Sequence, residues 1–397
     1  MTDVVVAGAG LVGLATAWRA RTHGLAVTVV DDAPGTGASH VAAGMLAPVA
    51  EASYGEERLL ALSRASLARY PSFVAEVEEA SGCAVALRTA GTLLVGFDED
   101  DAAALARLHD FQVELGLPSE RLTARECRRR EPALTPRLRS GLAAPGDHSV
   151  DARGLHAALL VAVERAGVQV VRERVAGLLV EGGRARGVRL AGGTELRAPA
   201  VVLALGAASA GLDGVPPGTV PVRPVKGQIL RLRGEALLGG TVRALVRGRE
   251  VYLVPYGSDR LVVGATVEEQ GFDLRVTAGG VLDLLRDAAE VVPGLTELEL
   301  VEARASARPG TPDNAPLLGE SGLPGLVLAT GHHRNGVLLT PVTADAVADL
   351  LAGRGLPDVA AGFSPARFST PPSRSAPPGT APPETPPPGT PLEDPCT

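Results

Sequence analysis

Val4-Val5-Val6-Ala7-Gly8-Ala9-Gly10-Leu11-Val12-Gly13 decides the fold. Four apolar residues read as a buried strand, and the glycines that follow read as a turn. A helical pattern then runs from Leu14 to His23 and stops at Gly24. A second strand, Ala26 to Val30, ends on Asp31. In such a turn Gly8 permits the tight backbone path, Gly10 lets the main chain approach a pyrophosphate, and Gly13 allows the helix to pack closely on the sheet. The free amides and the macrodipole at the helix N-terminus favour those phosphates. Asp31, about twenty residues after the turn, is placed to accept hydrogen bonds from a ribose hydroxyl. A glycine turn with no ligand is the competing reading, but the order strand, turn, helix, strand, acid predicts a dinucleotide-binding unit.

The rest of the composition narrows the partners. A chain of 397 residues is expected to divide into two domains, because single cores stop growing near ~250 to 300 residues. The formal net charge of -7 gives no electrostatic footprint for nucleic acid or an anionic membrane, so a small molecule is the expected partner. Cys83, Cys127 and Cys396 form no CxxC pair, which predicts neither a disulfide framework nor a metal site. The start lacks a basic, apolar leader, and no segment offers eighteen uninterrupted apolar residues. A cytoplasmic protein is expected.

Further along, apolar residues recur at three and four from Glu56 to Ser81, where Gly82 ends a predicted helix. Ala84 to Val95 reads as strands, and Asp98 to Glu131 as two amphipathic helices broken at Gly116-Leu117-Pro118. The run Arg125 to Glu131 reads as a solvated helix face rather than an anion site. From Asp151 the pattern is helix Gly154 to Ala166, strand Val168 to Val171, hairpin Val175 to Leu190, then strand Ala200 to Leu205 ending at Gly206. Val220 to Thr266 is rich in alternating strands, and a helix is predicted from Thr277 to Val291. Leu326 to Ala329, Gly331 and a helix from Thr340 to Leu351 return to the first domain. Beyond residue 365 the composition turns to Pro, Thr, Ser and Gly, as expected of a disordered tail.

Several segments together resemble the glycine oxidases of thiamine biosynthesis, within the D-amino-acid oxidase family of flavoproteins. They are Gly8 to Gly13 with Asp31, then Ala38-Ser39-His40-Val41-Ala42-Ala43-Gly44-Met45-Leu46-Ala47-Pro48, and Val225-Lys226-Gly227-Gln228. Tyr252-Leu253-Val254-Pro255, Gly264-Ala265-Thr266, Arg308-Pro309-Gly310-Thr311-Pro312-Asp313 and Gly331-His332-His333-Arg334-Asn335-Gly336 complete the set. The likeness spans Asp3 to about Gly362. It implies an α/β (α+β two-domain) fold, with a discontinuous Rossmann-like FAD-binding domain and an inserted antiparallel-sheet substrate domain. The expected FAD-binding parts are residues 1–83, 145–219 and 300–364, and the expected substrate parts 84–144 and 220–299, with 365–397 as the tail.

The resemblance also implies site residues. Non-covalent FAD is expected to contact Gly8, Gly10, Gly13, Asp31, Ser39, Ala43, Gly44, Met45, Val175 and Gly206. The late loop adds Gly331, His333, Arg334, Asn335, Gly336, Val337 and Leu338. A flavin accepts a hydride from an α-carbon, so the protein need only hold an amino acid over the ring. A guanidinium fork matches a carboxylate, which makes Arg308 the candidate, with the Tyr252 hydroxyl as the second contact. Met45 and Arg334 are expected to line the substrate pocket. His333 and His40 stand where relatives more often carry large aromatics, and Tyr256 where an Arg is common. The implied reaction is oxidation of glycine, sarcosine and small D-amino acids with oxygen, in a homo-oligomer, commonly a tetramer in the family. A dehydrogenase of D-amino acids or sarcosine using another acceptor stays open, as do a nicotinamide enzyme and a non-redox nucleotide-binding module.

Overall fold

The computed structural model describes Thr2–Phe368. A six-stranded sheet holds, in spatial order, Leu317–Glu320, Leu326–Thr330, Ala200–Leu203, Val4–Ala7, Val27–Val30 and Gln169–Val171. All neighbours run parallel except Leu317–Glu320, which is antiparallel to Leu326–Thr330. Side chains alternate across a strand, and both faces here are covered. Val4, Val6, Val27, Val29 and Val202 pack with the helices Leu11–Thr22, Ala152–Arg165 and Thr340–Leu351. Val5, Ala7, Val30, Val201 and Leu203 pack on the opposite side, against Val175, Leu178, Ala185 and Val188 of a small three-stranded sheet. Apolar residues at every position of Val4–Ala7 are therefore required, because neither face meets water.

The second sheet has eight strands in the order Glu299–Gly310, Arg223–Arg233, Arg260–Gly264, Arg249–Tyr256, Thr241–Val246, Thr92–Gly96, Ser140–Ala144 and Glu120–Thr123. It is mixed rather than antiparallel as expected, because Thr241–Val246 runs parallel to Thr92–Gly96. Parallel neighbours need a long crossover, and here the chain between them passes through Gln169–Val171 and Ala200–Leu203 of the six-stranded sheet. The expected domain boundary at residue 300 also shifts. Glu299–Gly310 pairs along its whole length with Arg223–Arg233, so the strand carrying Arg308 belongs to the second sheet.

Local signals explain most elements. The helix Glu57–Ser81 ends where Gly82 takes φ +68, a left-handed conformation that costs glycine little. The stretch 98–131 departs from two helices. A capping box between Asp98 and Asp101 starts the helix Glu99–Glu114, but Glu120–Thr123 forms a strand before a second capping box, Thr123 with Glu126, opens Ala124–Arg130. The partner strand Ser140–Ala144 selects that strand, and nothing local to residues 120–123 announces it. No described helix is long and apolar enough to cross a membrane.

Of the expected tail, residues 369–397 lie outside the described residues. Its start moves, however, because Pro365–Phe368 forms a 3-10 turn. Arg367 donates from Nε to the Asp313 carboxylate at 2.8 Å and from Nη2 to the Ala315 carbonyl at 2.9 Å. A chain ending at Phe368 is expected to melt several degrees above one ending at Ser364, as read by thermal unfolding. Equal melting temperatures would show that Arg367 ties nothing down.

Candidate active site

The nucleotide turn is fixed by close backbone approach. Gly8 has φ +108, and a Cβ there would stand 2.4 Å from the Ala204 carbonyl oxygen. At Gly13 a Cβ would fall 1.9 Å from the Gly8 carbonyl oxygen, so helix and strand meet only because the side chain is absent. Gly10 is looser, its nearest would-be neighbour being Ser39 Oγ at 3.2 Å. Ser39 Oγ accepts from the Leu11 amide at 3.1 Å, at the start of the first helix. Asp31 accepts from the Ala9 amide at 2.7 Å and the Ala33 amide at 2.8 Å, so its carboxylate braces the turn while also facing the cavity. His156 Nε2 lies 2.8 Å from the Ala9 carbonyl. Burial lowers the His156 pKa, and a nitrogen facing a carbonyl must carry the proton, so a neutral ring donates there.

A cavity of about 940 Å³ runs from this turn to the second sheet. Of the expected residues, Gly8, Gly10, Asp31, Ser39, Ala43, Gly44, Met45 and Gly206 line its walls. So do Tyr252, Arg308, His333, Arg334, Gly336 and Val337. Gly13, Val175, Gly331, Asn335 and Leu338 do not. Gly13 acts beneath the turn, and Val175 is buried against the six-stranded sheet. Gly331 takes φ +75 against Thr311, so it bends the loop without facing the cavity. Asn335 and Leu338 are buried behind the loop.

The late loop is held from behind by the long helix. Tyr70 Oη donates to the Val337 carbonyl at 2.8 Å, and Ser66 Oγ to the Leu338 carbonyl at 2.6 Å. Two buried hydroxyls thus satisfy carbonyls on the rear of the loop. His333 occupies positive φ, +47, at the cavity wall, a conformation uncommon outside glycine that recurs at functional sites. Burial drives the His333 pKa down to about 4, helped by nearby Arg334 and Arg308, and burial drives His332 down to about 3. Both rings are neutral at working pH. Tyr256 Oη donates to the Ala43 carbonyl and so anchors the Ala42–Met45 loop. His40 faces Glu302 at 3.7 Å, and burial lowers its pKa.

Arg308 and Tyr252 converge because glycines lie beneath them. A Cβ on Gly227 would stand 2.3 Å from Arg308 Nη1, and one on Gly264 would stand 2.4 Å from the Tyr252 hydroxyl. Gly264 is paired directly with Tyr252 across the ladder. Arg308 Nη1 donates to the Thr266 carbonyl at 3.1 Å, and among the described residues the guanidinium has no carboxylate partner. Burial raises the Tyr252 pKa, opposed first by the charge of Arg308 beside it, so the phenol stays protonated and able to donate. A guanidinium that meets no carboxylate among the described residues, beside a phenol O–H, suits a carboxylate.

Reading the sequence missed the roles of Gly227 and Gly264, although each belongs to a motif, Val225-Lys226-Gly227-Gln228 and Gly264-Ala265-Thr266. It also missed Glu51 and Arg243, an ion pair on the cavity wall. Nothing in the spacing of residues 192 apart could have joined them. Gly264→Ala is expected to push the Tyr252 ring aside and raise the Michaelis constant for a carboxylate substrate roughly tenfold, the loss of about one hydrogen bond to a charged group. An unchanged constant would show that Tyr252 tolerates displacement.

The family model for FAD dependent oxidoreductase (DAO) matches residues 3–350. A glycine oxidase of Geobacillus kaustophilus (strain HTA426) is 35% identical over 352 residues, covering 88% of this chain and 92% of that protein. A bifunctional protein ThiO/ThiG of Nostoc sp. (strain PCC 7120) is 34% identical over 88% of this chain, which spans 52% of that longer protein. The crystal structure of glycine oxidase from Geobacillus kaustophilus superposes with a TM-score of 0.83 at 34% identity, covering 91% of this chain and 97% of that one.

Proposed function

We propose, for a chain that belongs to the DAO family of FAD-dependent oxidoreductases, that it is an amine oxidase converting glycine to glyoxylate, ammonia and hydrogen peroxide. Sarcosine and small D-amino acids are further substrates. The glycine imine formed on the way serves the thiazole part of thiamine. The observation that carries the reading is Arg308, whose guanidinium meets no carboxylate among the described residues and faces the same cavity as the nucleotide turn.

The residues present fit FAD. Gly8, Gly10, Asp31 and Ser39 would hold the nucleotide end, Ala43, Gly44 and Met45 the middle, and His333 to Val337 the ring end. When bound, FAD supplies the acceptor for a hydride from the substrate α-carbon and returns the electrons to oxygen. The chain does the rest by position. Arg308 takes the carboxylate in a bidentate grip and Tyr252 donates a further bond, which orients the α-carbon. Met45 supplies soft apolar wall, and Arg334, which donates to Ser53 Oγ at 3.3 Å, lines the same cavity. The reading extends to a cytoplasmic homo-oligomer, whose size sedimentation of the holoenzyme would give.

The test is peroxide release from the purified yellow protein over glycine, sarcosine, D-alanine and a simple amine without a carboxylate. Turnover of the amino acids well above the amine supports the reading. Flavin bands without peroxide would favour an enzyme using another acceptor, and absence of flavin bands would overturn the assignment.

Histidine protonation should leave no mark on catalysis. With His333 titrating at about 4 and His332 at about 3, neither changes charge between roughly pH 6 and 9. The rise of kcat/KM with pH then belongs to the substrate amine, which must be neutral to give up hydride. His333→Phe is expected to keep that rise unshifted, and a shift of its midpoint would assign the titration to His333. Stability behaves differently. A histidine whose folded pKa is lowered contributes stability above its unfolded value, near 6.5, and loses it as pH falls toward the folded value. Melting temperature should therefore drop between about pH 6.5 and 4, less steeply in His333→Phe.

A further inference from the structure

Among the described residues four guanidiniums line the cavity, and three meet carboxylates: Arg249 meets Asp287, Arg334 meets Glu56 and Arg243 meets Glu51. Arg308 is the fourth. Arg243 sits on Thr241–Val246 directly across the ladder from Tyr252, on the same face of the sheet. Tyr252 therefore stands between Arg308 on one side and the Arg243 pair on the other, within the electrostatic reach of both.

Glu51 is held in place by its turn. The Val49 and Ala50 amides donate to buried Asp147 at 3.1 and 3.0 Å, and Gln112 Nε2 donates to the Val49 carbonyl at 2.8 Å. The side chains of Arg243 and Glu51 are only 13% and 12% exposed. A pair so withdrawn from water gains little net stability over an apolar replacement. Its place on the wall of a substrate cavity is better explained by what it excludes.

We propose that the Glu51–Arg243 pair limits the substrate to a single carboxylate, and that removing the acid turns Arg243 into a second carboxylate site. This rests on reading the cavity as the pocket of an amino-acid oxidase. A second acid carried on the substrate amine would meet the Glu51 charge in a site poor in water, where like charges repel strongly. Without Glu51, Arg243 keeps, among the described residues, the exposed Glu250 at 3.2 Å, and the rest of its fork can take a new carboxylate. The class admitted is the N-carboxymethyl amines, of which iminodiacetate is the smallest. Its oxidation breaks one methylene C–H bond, the hydride going to the flavin. Water adds to the resulting imine, the C–N bond breaks to give glyoxylate and glycine, and oxygen takes the electrons to become peroxide.

The experiment compares wild type, Glu51→Gln and Glu51→Gln/Arg243→Gln, each with its flavin content verified. Initial peroxide rates on iminodiacetate and on glycine are taken before product glycine accumulates. The ratio of kcat/KM for iminodiacetate over glycine should rise at least tenfold in Glu51→Gln and return toward wild type in the double variant. An unchanged ratio overturns the proposal. A binding arm separates this from the parent reading. Acetate and glutarate, whose chain matches iminodiacetate but cannot be oxidised at an amine, are titrated against the flavin spectrum. Glu51→Gln should tighten glutarate relative to acetate at least tenfold, even if glycine proves not to be the substrate. Where Glu51→Gln does not fold, Arg243→Gln alone serves, because an unneutralised Glu51 should weaken glutarate relative to acetate severalfold. No change, or a tightening, overturns the idea.

Discussion

Arg308→Ala is expected to lower kcat/KM for glycine by roughly 30-fold to several thousandfold, the range for removing one partner of a buried hydrogen-bonded charge pair at about 2–5 kcal/mol. The loss should fall mainly on the Michaelis constant, since the contact is made to the bound ground state as well as the transition state. Arg308→Lys should recover only part, because an ammonium is a point charge without the fork. Steady-state peroxide rates on glycine and on a simple amine lacking a carboxylate separate the two meanings of a loss. A fall on glycine alone supports carboxylate binding. Equal falls on both would mean that Arg308, through its bond to the Thr266 carbonyl, holds the sheet and does not read the substrate.

Replacements in the nucleotide turn should be as severe but divide into two kinds. Gly13→Ala places a Cβ 1.9 Å from the Gly8 carbonyl oxygen, a clash of backbone with no rotamer to relieve it. The helix must then leave the strand, and the expected result is colourless protein with a clearly lower melting temperature. At Gly10 a Cβ would meet only Ser39 Oγ, at 3.2 Å, so in Gly10→Val the fold should survive while the branched side chain obstructs pyrophosphate. Flavin absorbance and circular-dichroism melting read the two effects apart. A Gly10→Val protein that retains flavin with undiminished affinity would place the phosphates elsewhere.

The nucleotide half of the fold was legible because its constraints are local. A strand buried on both faces must be apolar throughout, and a turn that touches another backbone must be glycine, so Val4 to Gly13 carries its own instructions. The strand Glu120–Thr123 was illegible for the opposite reason. Its hydrogen bonds come from Ser140–Ala144, a partner that local propensity does not see. The boundary at residue 300 failed in the same way, since a twelve-residue ladder with Arg223–Arg233 is a long-range fact. At the site, resemblance brought Arg308 and Tyr252 into view. It did not bring the glycines beneath them, because a residue that acts by lacking a side chain shows no chemistry of its own. Glu51 and Arg243 lay further out of reach, one on a turn after the Met45 loop and the other on a distant strand, joined only by folding.

The glycines under Arg308 and Tyr252 also determine when the entropy of ordering these side chains is lost. With the guanidinium lying along the Gly227 backbone and the phenol ring over Gly264, the two side chains of the proposed substrate grip have few rotamers left before any ligand arrives. An arginine free in solvent would lose on the order of 2 kcal/mol of rotamer freedom on capture. Here that loss is incurred during folding, and so a small acid such as glycine, with few atoms to contribute, meets a receptor already set for it.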